Sequence, residues 1–168
     1  MICLITLAQI LLFSNGVFAQ QLPEELTGKW EELVVNLRRR AELSESLSNV
    51  LRTTDFKNKK LLDSLTTEGK LLGSWLDTAQ LSGPKLATET AKRNLTLSEK
   101  LYRTMEQLNG QSAILNNQQI IDLNRQIERA MNRIGVSAHE FNKICIKYHL
   151  QQLAFPWLSP VKAVEVKF

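Results

Sequence analysis

The feature that most constrains the fold is a long apolar repeat towards the C-terminal end of the chain. Apolar residues recur there at intervals of three or four, which is the spacing of one helix face. The pattern predicts one helix from about Asn117 to Leu153, roughly 50 Å long at 1.5 Å per residue. The repeat consists of Ile120, Leu123, Ile127, Met131, Ile134, Ala138, Phe141, Cys145 and Tyr148. A face of this length needs long helical partners to cover it.

Two segments nearer the N-terminus carry the same spacing. The first starts at Pro23-Glu24-Glu25, where proline and acidic residues favour a helix start. Thr53-Thr54-Asp55 offers capping residues for a break and a second start. Gly69 lies within the second stripe and predicts a close approach between helices. The two stripes are Leu26, Trp30, Leu33, Leu37, Ala41, Ser44, Leu47, Leu51, and then Leu62, Leu65, Gly69, Leu72, Leu76, Ala79.

A third segment completes the set of helices. It begins after the break at Leu81–Pro84 and ends at Asn109-Gly110, a typical helix stop. Its inner face is formed by Asn94, Leu97, Leu101, Thr104 and Leu108. Four amphipathic helices without a strand pattern predict an all-α fold, an antiparallel up-and-down four-helix bundle with long first and last helices. The near-heptad spacing also predicts coiled-coil-like packing.

Residues 1–19 differ in composition from the rest and predict a signal peptide. An apolar run from Ile2 to Phe13 is followed by polar residues and then by Val17-Phe18-Ala19. A β-branched residue at −3 (Val17) and a small residue at −1 (Ala19) fit cleavage between Ala19 and Gln20, although no basic residue precedes the run.

The alternative for the N-terminal segment is a single-pass inner-membrane anchor at residues 2–19. Its clean apolar run is shorter than the roughly 20 residues of a membrane helix. The basic residues Lys29 and Arg38–Arg40 lie downstream and would hold the following chain in the cytosol. Export to the periplasm or cell envelope is therefore the prediction, with residues 20–156 as the bundle and 157–168 as an irregular C-terminal tail.

The last predicted helix contains a set of short motifs. They are an Asn-Arg-Ile turn, an aromatic-Asn pair, a second aromatic residue seven positions on, and a Phe-Pro exit, at Asn132-Arg133-Ile134, Phe141-Asn142, Tyr148 and Phe155-Pro156. This pattern resembles the last helix of the LemA family.

The first helix resembles the same family. Trp30 precedes the basic pair Arg39-Arg40 and a leucine-rich stretch, Leu37–Leu51, as in the family's first long helix. The resemblance spans about residues 26–156, with a looser match in the middle. All the quoted positions are candidates for family-specific contacts or for an interaction surface.

The resemblance implies a bacterial, non-catalytic protein of the cell envelope, built as an antiparallel bundle behind a hydrophobic N-terminus. Family members have no established enzymatic activity, and some relatives belong to magnetosome membranes. The chain differs from the family in its signal-like start and in its tail, where Trp157–Val161 replaces a glycine- and aromatic-rich ending. We expect a scaffold or interaction module, with an unknown protein or a membrane surface as partner.

The residues that could carry chemistry are few. Cys145 lies on the apolar stripe, where cysteine acts as a small hydrophobic residue. His149 is one turn away, so an enzyme or metal site using both is the alternative, but two ligands do not complete a zinc site. His139 and His149 lie at different angles and too far apart along the helix to bind one ion. We therefore expect no cofactor, no metal and no catalysis.

The run Arg38–Arg40 spans about 200° of the helix, at 100° per residue, so one arginine must lie at the core edge and extend its charged group outwards. A patch for polyanions or lipid headgroups is one reading, and a solvated face paired with nearby glutamates is the other. Lysines that could join such a patch are Lys57, Lys59 and Lys60. The net charge of +4 is too small to indicate nucleic acid as a partner.

Polar residues near the last apolar stripe need partners if they are buried. Asn132, Asn142 and Tyr148 are the residues concerned. We predict a hydrogen-bond network between helices that includes Arg40 or Arg133. A recognition surface made of the same residues is the alternative.

Overall fold

Four long helices and one short helix form the part of the chain that the structure describes. The structure is a computed structural model, and it describes residues 22–83 and 85–156. The predictions for residues 1–19 and 157–168 lie outside these ranges. No strand occurs within them, and the all-α prediction is confirmed. The elements are α1 (Glu24–Arg52), α2 (Lys59–Thr78), α3 (Leu86–Leu108), α4 (Ser112–Leu115), α5 (Gln118–Lys147) and a 3₁₀ helix (Gln151–Leu153).

α1 is the shared partner of the bundle. It packs along α5 on one side and along α2 on the other, whereas α3 packs mainly on α2. The neighbours are antiparallel, since Lys147 at the end of α5 lies 2.6 Å from Glu25 at the start of α1. Arg38 of α1 likewise bonds to Asp77 near the end of α2, at 2.8 Å. This is the predicted up-and-down order with long first and last helices.

The core is made of the apolar stripes read from the sequence. Every residue of the α1 stripe is buried, and so is every residue of the second stripe except Ala79, which follows the end of α2 and is half-buried. Fully burying a leucine contributes about 1.5–3 kcal/mol, so this set supplies most of the driving force for folding. The completely enclosed leucines are Leu26, Leu33, Leu47, Leu51, Leu62, Leu65, Leu72 and Leu97.

The turn between α1 and α2 uses different capping residues from those predicted. The hydroxyls of Thr53 and Thr54 donate to the carbonyls of Val50 and Leu51, so they close α1. The side chain of Asn58 accepts from the backbone N–H of Leu61 and starts α2. The predicted restart at Thr53-Thr54-Asp55 is wrong by a few residues, because asparagine three positions later is the better N-cap.

α5 ends earlier than the predicted Leu153. His149 adopts a left-handed backbone conformation with φ 57°, and its N–H donates to the carbonyl of Ile146. The N–H of Leu150 donates to the carbonyl of Cys145 at 2.7 Å, which completes a Schellman motif. Tyr148 is therefore at the helix end and exposed, not in the core as predicted. The buried side chain of Leu150 favours this stop, because it packs back on the bundle.

Gly69 allows α1 and α2 to approach closely, as predicted. A Cβ atom at position 69 would lie 3.2 Å from the backbone carbonyl oxygen of Ala41. Gly73, one turn further along α2, has open space at the same point. None of the helices in the described ranges has an apolar stretch long enough to cross a membrane.

Gly69→Ala and Gly73→Ala form a matched pair that tests this contact. Better helix propensity favours alanine by about 1 kcal/mol at both sites, but overpacking against backbone costs about 1–3 kcal/mol. We expect Gly73→Ala to raise the free energy of unfolding by about 0.5–1 kcal/mol and Gly69→Ala to lower it by about 1 kcal/mol. Urea denaturation measures both, and equal stabilisation by the two changes would contradict the close approach.

Candidate interaction site

Three aromatic residues singled out in the sequence meet at one end of the bundle. Trp30 comes from α1, Phe141 from α5, and Phe155 from the segment after the 3₁₀ helix. The rings of Trp30 and Phe155 are stacked, with centroids 6.2 Å apart and planes 7° from parallel. Phe141 lies 6.0 Å from Trp30 and meets Phe155 edge-on at 5.4 Å. The three buried rings close this end of the core.

Asn142 holds the segment that carries Phe155. Its side-chain Nδ2 donates to the carbonyl of Phe155 at 3.1 Å, and the N–H of Phe155 donates to Oδ1 at 2.8 Å. Both backbone polar groups of Phe155 are thereby satisfied by one amide, as a neighbouring strand would satisfy them. Pro156 follows at the surface. The aromatic-Asn pair and the Phe-Pro exit therefore act as one structural unit.

Tyr148 contributes to the same end from the outside. Its hydroxyl lies 3.3 Å from Glu25 Oε2, which also accepts from Lys147 at 2.6 Å. The hydrogen bond from Lys147 lowers the pKa of Glu25 below its usual value. All three groups are exposed, so this ion pair adds little stability.

Arg40 is buried, with only 2% of its surface exposed. Its Nη1 donates to Ser98 Oγ at 2.8 Å, and its Nη2 to the carbonyl of Asn94 at 3.0 Å and to the Asn94 side-chain oxygen. No carboxylate of the described residues pairs with it, and its Nε has no hydrogen-bond partner there. Burial lowers the pKa of Arg40 to about 10, so the side chain stays charged at neutral pH.

The predicted hydrogen-bond network, in which Asn132, Asn142 and Tyr148 bond to Arg40 or Arg133, is therefore wrong. Arg40 bonds to α3, whereas Asn142 bonds to Phe155 and Tyr148 to Glu25. Asn132 and Arg133 are exposed and need no buried partner. The mistake arose because the sequence does not show which helices face each other. Asn94, which lies on the apolar inner face of α3, was the available signal for a buried polar contact.

The two other arginines of the run point in different directions. Arg38 bonds to Asp77 on α2, and Arg39 to the side-chain oxygen of Gln126 on α5 at 3.0 Å. Arg39 also lies 3.7 Å from Glu42. The expectation that one arginine would extend its charge outwards from the core edge is wrong, because Arg40 is enclosed and hydrogen-bonded instead.

An open groove of about 620 Å³ runs between α1 and α5. Val35 and Val136 are its apolar residues, and their side chains are 65% and 63% exposed. Ser137 accepts from Asn36 Nδ2 at 2.8 Å and links the two helices beneath. The remaining lining residues are Glu32, Asn132 and Arg133.

A second groove of about 540 Å³ lies on the other side of Val35, between α1 and α2. Trp30, Val34 and Leu76 supply its apolar lining, with Arg38 and Arg39 among its polar residues. Val35 is therefore a ridge between two adjoining grooves.

The sequence model of the LemA family matches residues 29–166 of the chain. The chain belongs to the LemA family. The match begins just before Trp30 and includes every signature position, so the predicted resemblance is confirmed. It also extends ten residues past Pro156, into the segment predicted as an irregular tail. Neither the curated proteins nor the solved structures contain a significant match.

In this LemA-family chain the two residues considered for chemistry, Cys145 and His149, lie in different surroundings. Cys145 is fully buried, and burial raises the pKa of its thiol to about 11. His149 lies past the end of α5 and is exposed, as is His139. Within residues 22–83 and 85–156, no group of three or more histidines, cysteines or acids could hold a metal ion.

Sequence reasoning missed the two exposed valines that mark the groove. Val35 and Val136 lie off the buried stripes, on helix faces where polar residues are expected. The available sequence signal for the groove was an apolar residue on a face expected to be polar. That signal is weak, because single exposed apolar residues are common on protein surfaces. Only the pairing of α1 with α5 brings the two together.

Asn142→Leu and Asn132→Leu test whether the Asn142 amide holds the C-terminal segment of the bundle. Leucine at 142 keeps the size but leaves the N–H and carbonyl of Phe155 without partners, at a cost of about 1–3 kcal/mol each when desolvated. We expect the free energy of unfolding to fall by about 2 kcal/mol and the Phe155 amide to exchange hydrogen faster. Asn132 is exposed, so its change should stay within about 0.5 kcal/mol. Equal effects at both sites would refute this role.

Proposed function

We propose that this LemA-family chain is a non-catalytic interaction module, or scaffold, of the bacterial cell envelope. The observation that carries the proposal is the groove between α1 and α5 with Val35 and Val136 at its edges. A protein partner that covers the exposed two-thirds of each side chain gains about 1–2 kcal/mol from each. The polar residues Glu32, Asn132 and Arg133 around them supply the rim that protein interfaces usually have.

The state of the titratable groups supports a non-catalytic role. Displaced pKa values often mark active sites. In the described ranges they are explained by exposed ion pairs or by burial: Glu25 with Lys147, Lys29 with Glu32, and the enclosed Arg40 and Cys145. None of these displacements needs a bound substrate to account for it.

An envelope location is supported by the N-terminal segment. The apolar run and the small residues before Gln20 favour cleavage after Ala19 and export. A single-pass anchor at residues 2–19 places the same bundle at the inner membrane. Cleavage would release the bundle into the periplasm, whereas the anchor would hold it on the cytosolic side of the inner membrane, because the basic residues lie downstream of it.

A photo-reactive residue at Val136 tests the proposed function in cells of the native host. We expect cross-links to defined envelope proteins through Val136, and few or none from the control position Lys70, which is exposed on α2. Mass spectrometry of the cross-linked chain should find Gln20 as its first residue. Equal cross-linking from both positions would contradict a specific surface, and a retained Met1 would contradict cleavage.

Cys145 provides the test against the enzymatic alternative with His149. In a Cys3→Ser background, we expect the native chain to react very slowly with a thiol reagent, and rapidly once unfolded. The raised thiol pKa keeps the reactive thiolate scarce up to pH 9, which slows the reaction further. Val136→Cys in the same background is the exposed control and should react at once. Rapid labelling of Cys145 in the folded chain would overturn the non-catalytic assignment.

A further inference from the structure

The outer face of α3 carries a second exposed surface, which we call the α3 stripe. It consists of Leu95, Glu99, Tyr102 and Glu106, at gaps of four, three and four, so all four lie on one helix face. Leu95 and Tyr102 are 51% and 41% exposed. Neither glutamate takes part in an ion pair among the described residues. The stripe is both apolar and acidic.

The outer face of α5 has the opposite charge, and we call it the arginine ladder. Arg125, Arg129 and Arg133 follow one another at intervals of four and are all exposed. Like charges at this spacing repel one another and weaken a helix. Arg125 has Asp122 at 3.8 Å, whereas Arg129 and Arg133 have no ion-pair partner in the described part of the chain. Arg133 also lines the α1–α5 groove, so the ladder borders the exposed valines.

The two surfaces match in length as well as in charge. Glu99 and Glu106 are seven residues apart, about 10.5 Å along α3, and the ladder spans about 12 Å from Arg125 to Arg133. Leu95 and Tyr102 are also seven residues apart along α3, and the exposed Val35 and Val136 lie beside the ladder on the second surface. An amphipathic helix laid into a groove is a standard mode of recognition. On α3 the apolar and acidic residues alternate along the one face that would make this contact.

We propose that the α3 stripe of one copy of this chain docks into the α1–α5 groove and arginine ladder of a second copy. The inference rests on the proposed interaction role and names its partner. α3 packs mainly on α2 within its own chain, so the α3 stripe faces away from the groove and cannot fill it there. Because the two faces differ, the contact either forms twice in a reciprocal two-fold dimer or repeats head-to-tail into a ring or an open filament. Such an assembly is what a scaffold needs.

Two reciprocal variants test this contact in the full chain, kept in non-ionic detergent. One carries Arg129→Glu and Arg133→Glu, and the other carries Glu99→Lys and Glu106→Lys. Sedimentation equilibrium should show self-association of the unchanged chain at low salt, weakened in about 1 M salt, where the Debye length is about 3 Å. Each variant alone should associate at least about tenfold more weakly, because like charges then meet across the contact. Circular dichroism on dilute, monomeric samples should show free energies of unfolding within about 0.5 kcal/mol of the unchanged chain, because all four side chains are exposed.

Mixing the two variants gives the decisive result. The reversed ladder of one faces the reversed stripe of the other, so we expect association to return in the equimolar mixture. A chain that carries all four changes should also self-associate. Failure of the mixture to associate, or undiminished association of either variant alone, would overturn the proposal.

A monomeric unchanged chain at high concentration and low salt would overturn it as well. If an acidic amphipathic peptide or anionic lipid vesicles then bind, and the variant with Arg129→Glu and Arg133→Glu loses that binding, the occupant of the surface is that peptide or membrane and not a second copy. Specific envelope cross-links from Val136 would still stand in that case, so failure of self-association and failure of the proposed function are distinguishable.

Discussion

The buried charge of Arg40 is the constraint around which the bundle is arranged. α1 and α3 otherwise make little contact, and Arg40 joins them through Asn94 and Ser98. An enclosed guanidinium without a carboxylate is costly, and loss of one of its partners leaves a buried charge uncompensated. The helices are therefore fixed at the one register in which α3 presents its carbonyl and amide oxygens to Arg40. Leucine packing alone would tolerate several registers.

α1 is the central helix of the bundle because it supplies the contacts that position the other long helices. Arg40 fixes α3 across the bundle, Gly69 lets α2 approach Ala41, and Trp30 receives Phe141 and Phe155. The Asn142 amide then secures the segment after α5. This arrangement leaves both the groove beside Val35 and the outer face of α3 open to solvent.

The sequence was sufficient for the architecture, because periodic leucines report directly which face of each helix is buried. Leu33, Leu72 and Leu97 were placed correctly on that basis. It failed at Tyr148, which continues the apolar spacing of α5 although the helix ends there. It failed also at Arg40, because a charged residue in a run of three looks like surface. The candidate interaction site could not be predicted from the sequence, because the groove exists only where α1 and α5 pack side by side.

The stacking of Trp30 on Phe155 joins residues that are on the order of a hundred positions apart in the sequence. α1 is synthesised first, whereas α5 and the segment with Phe155 are made last. Contacts between distant parts of a chain form late, because they require closing a long loop. The bundle is thus completed only once translation has nearly ended. A chain threaded from its N-terminus through a membrane channel would carry no finished fold that the channel must first unravel.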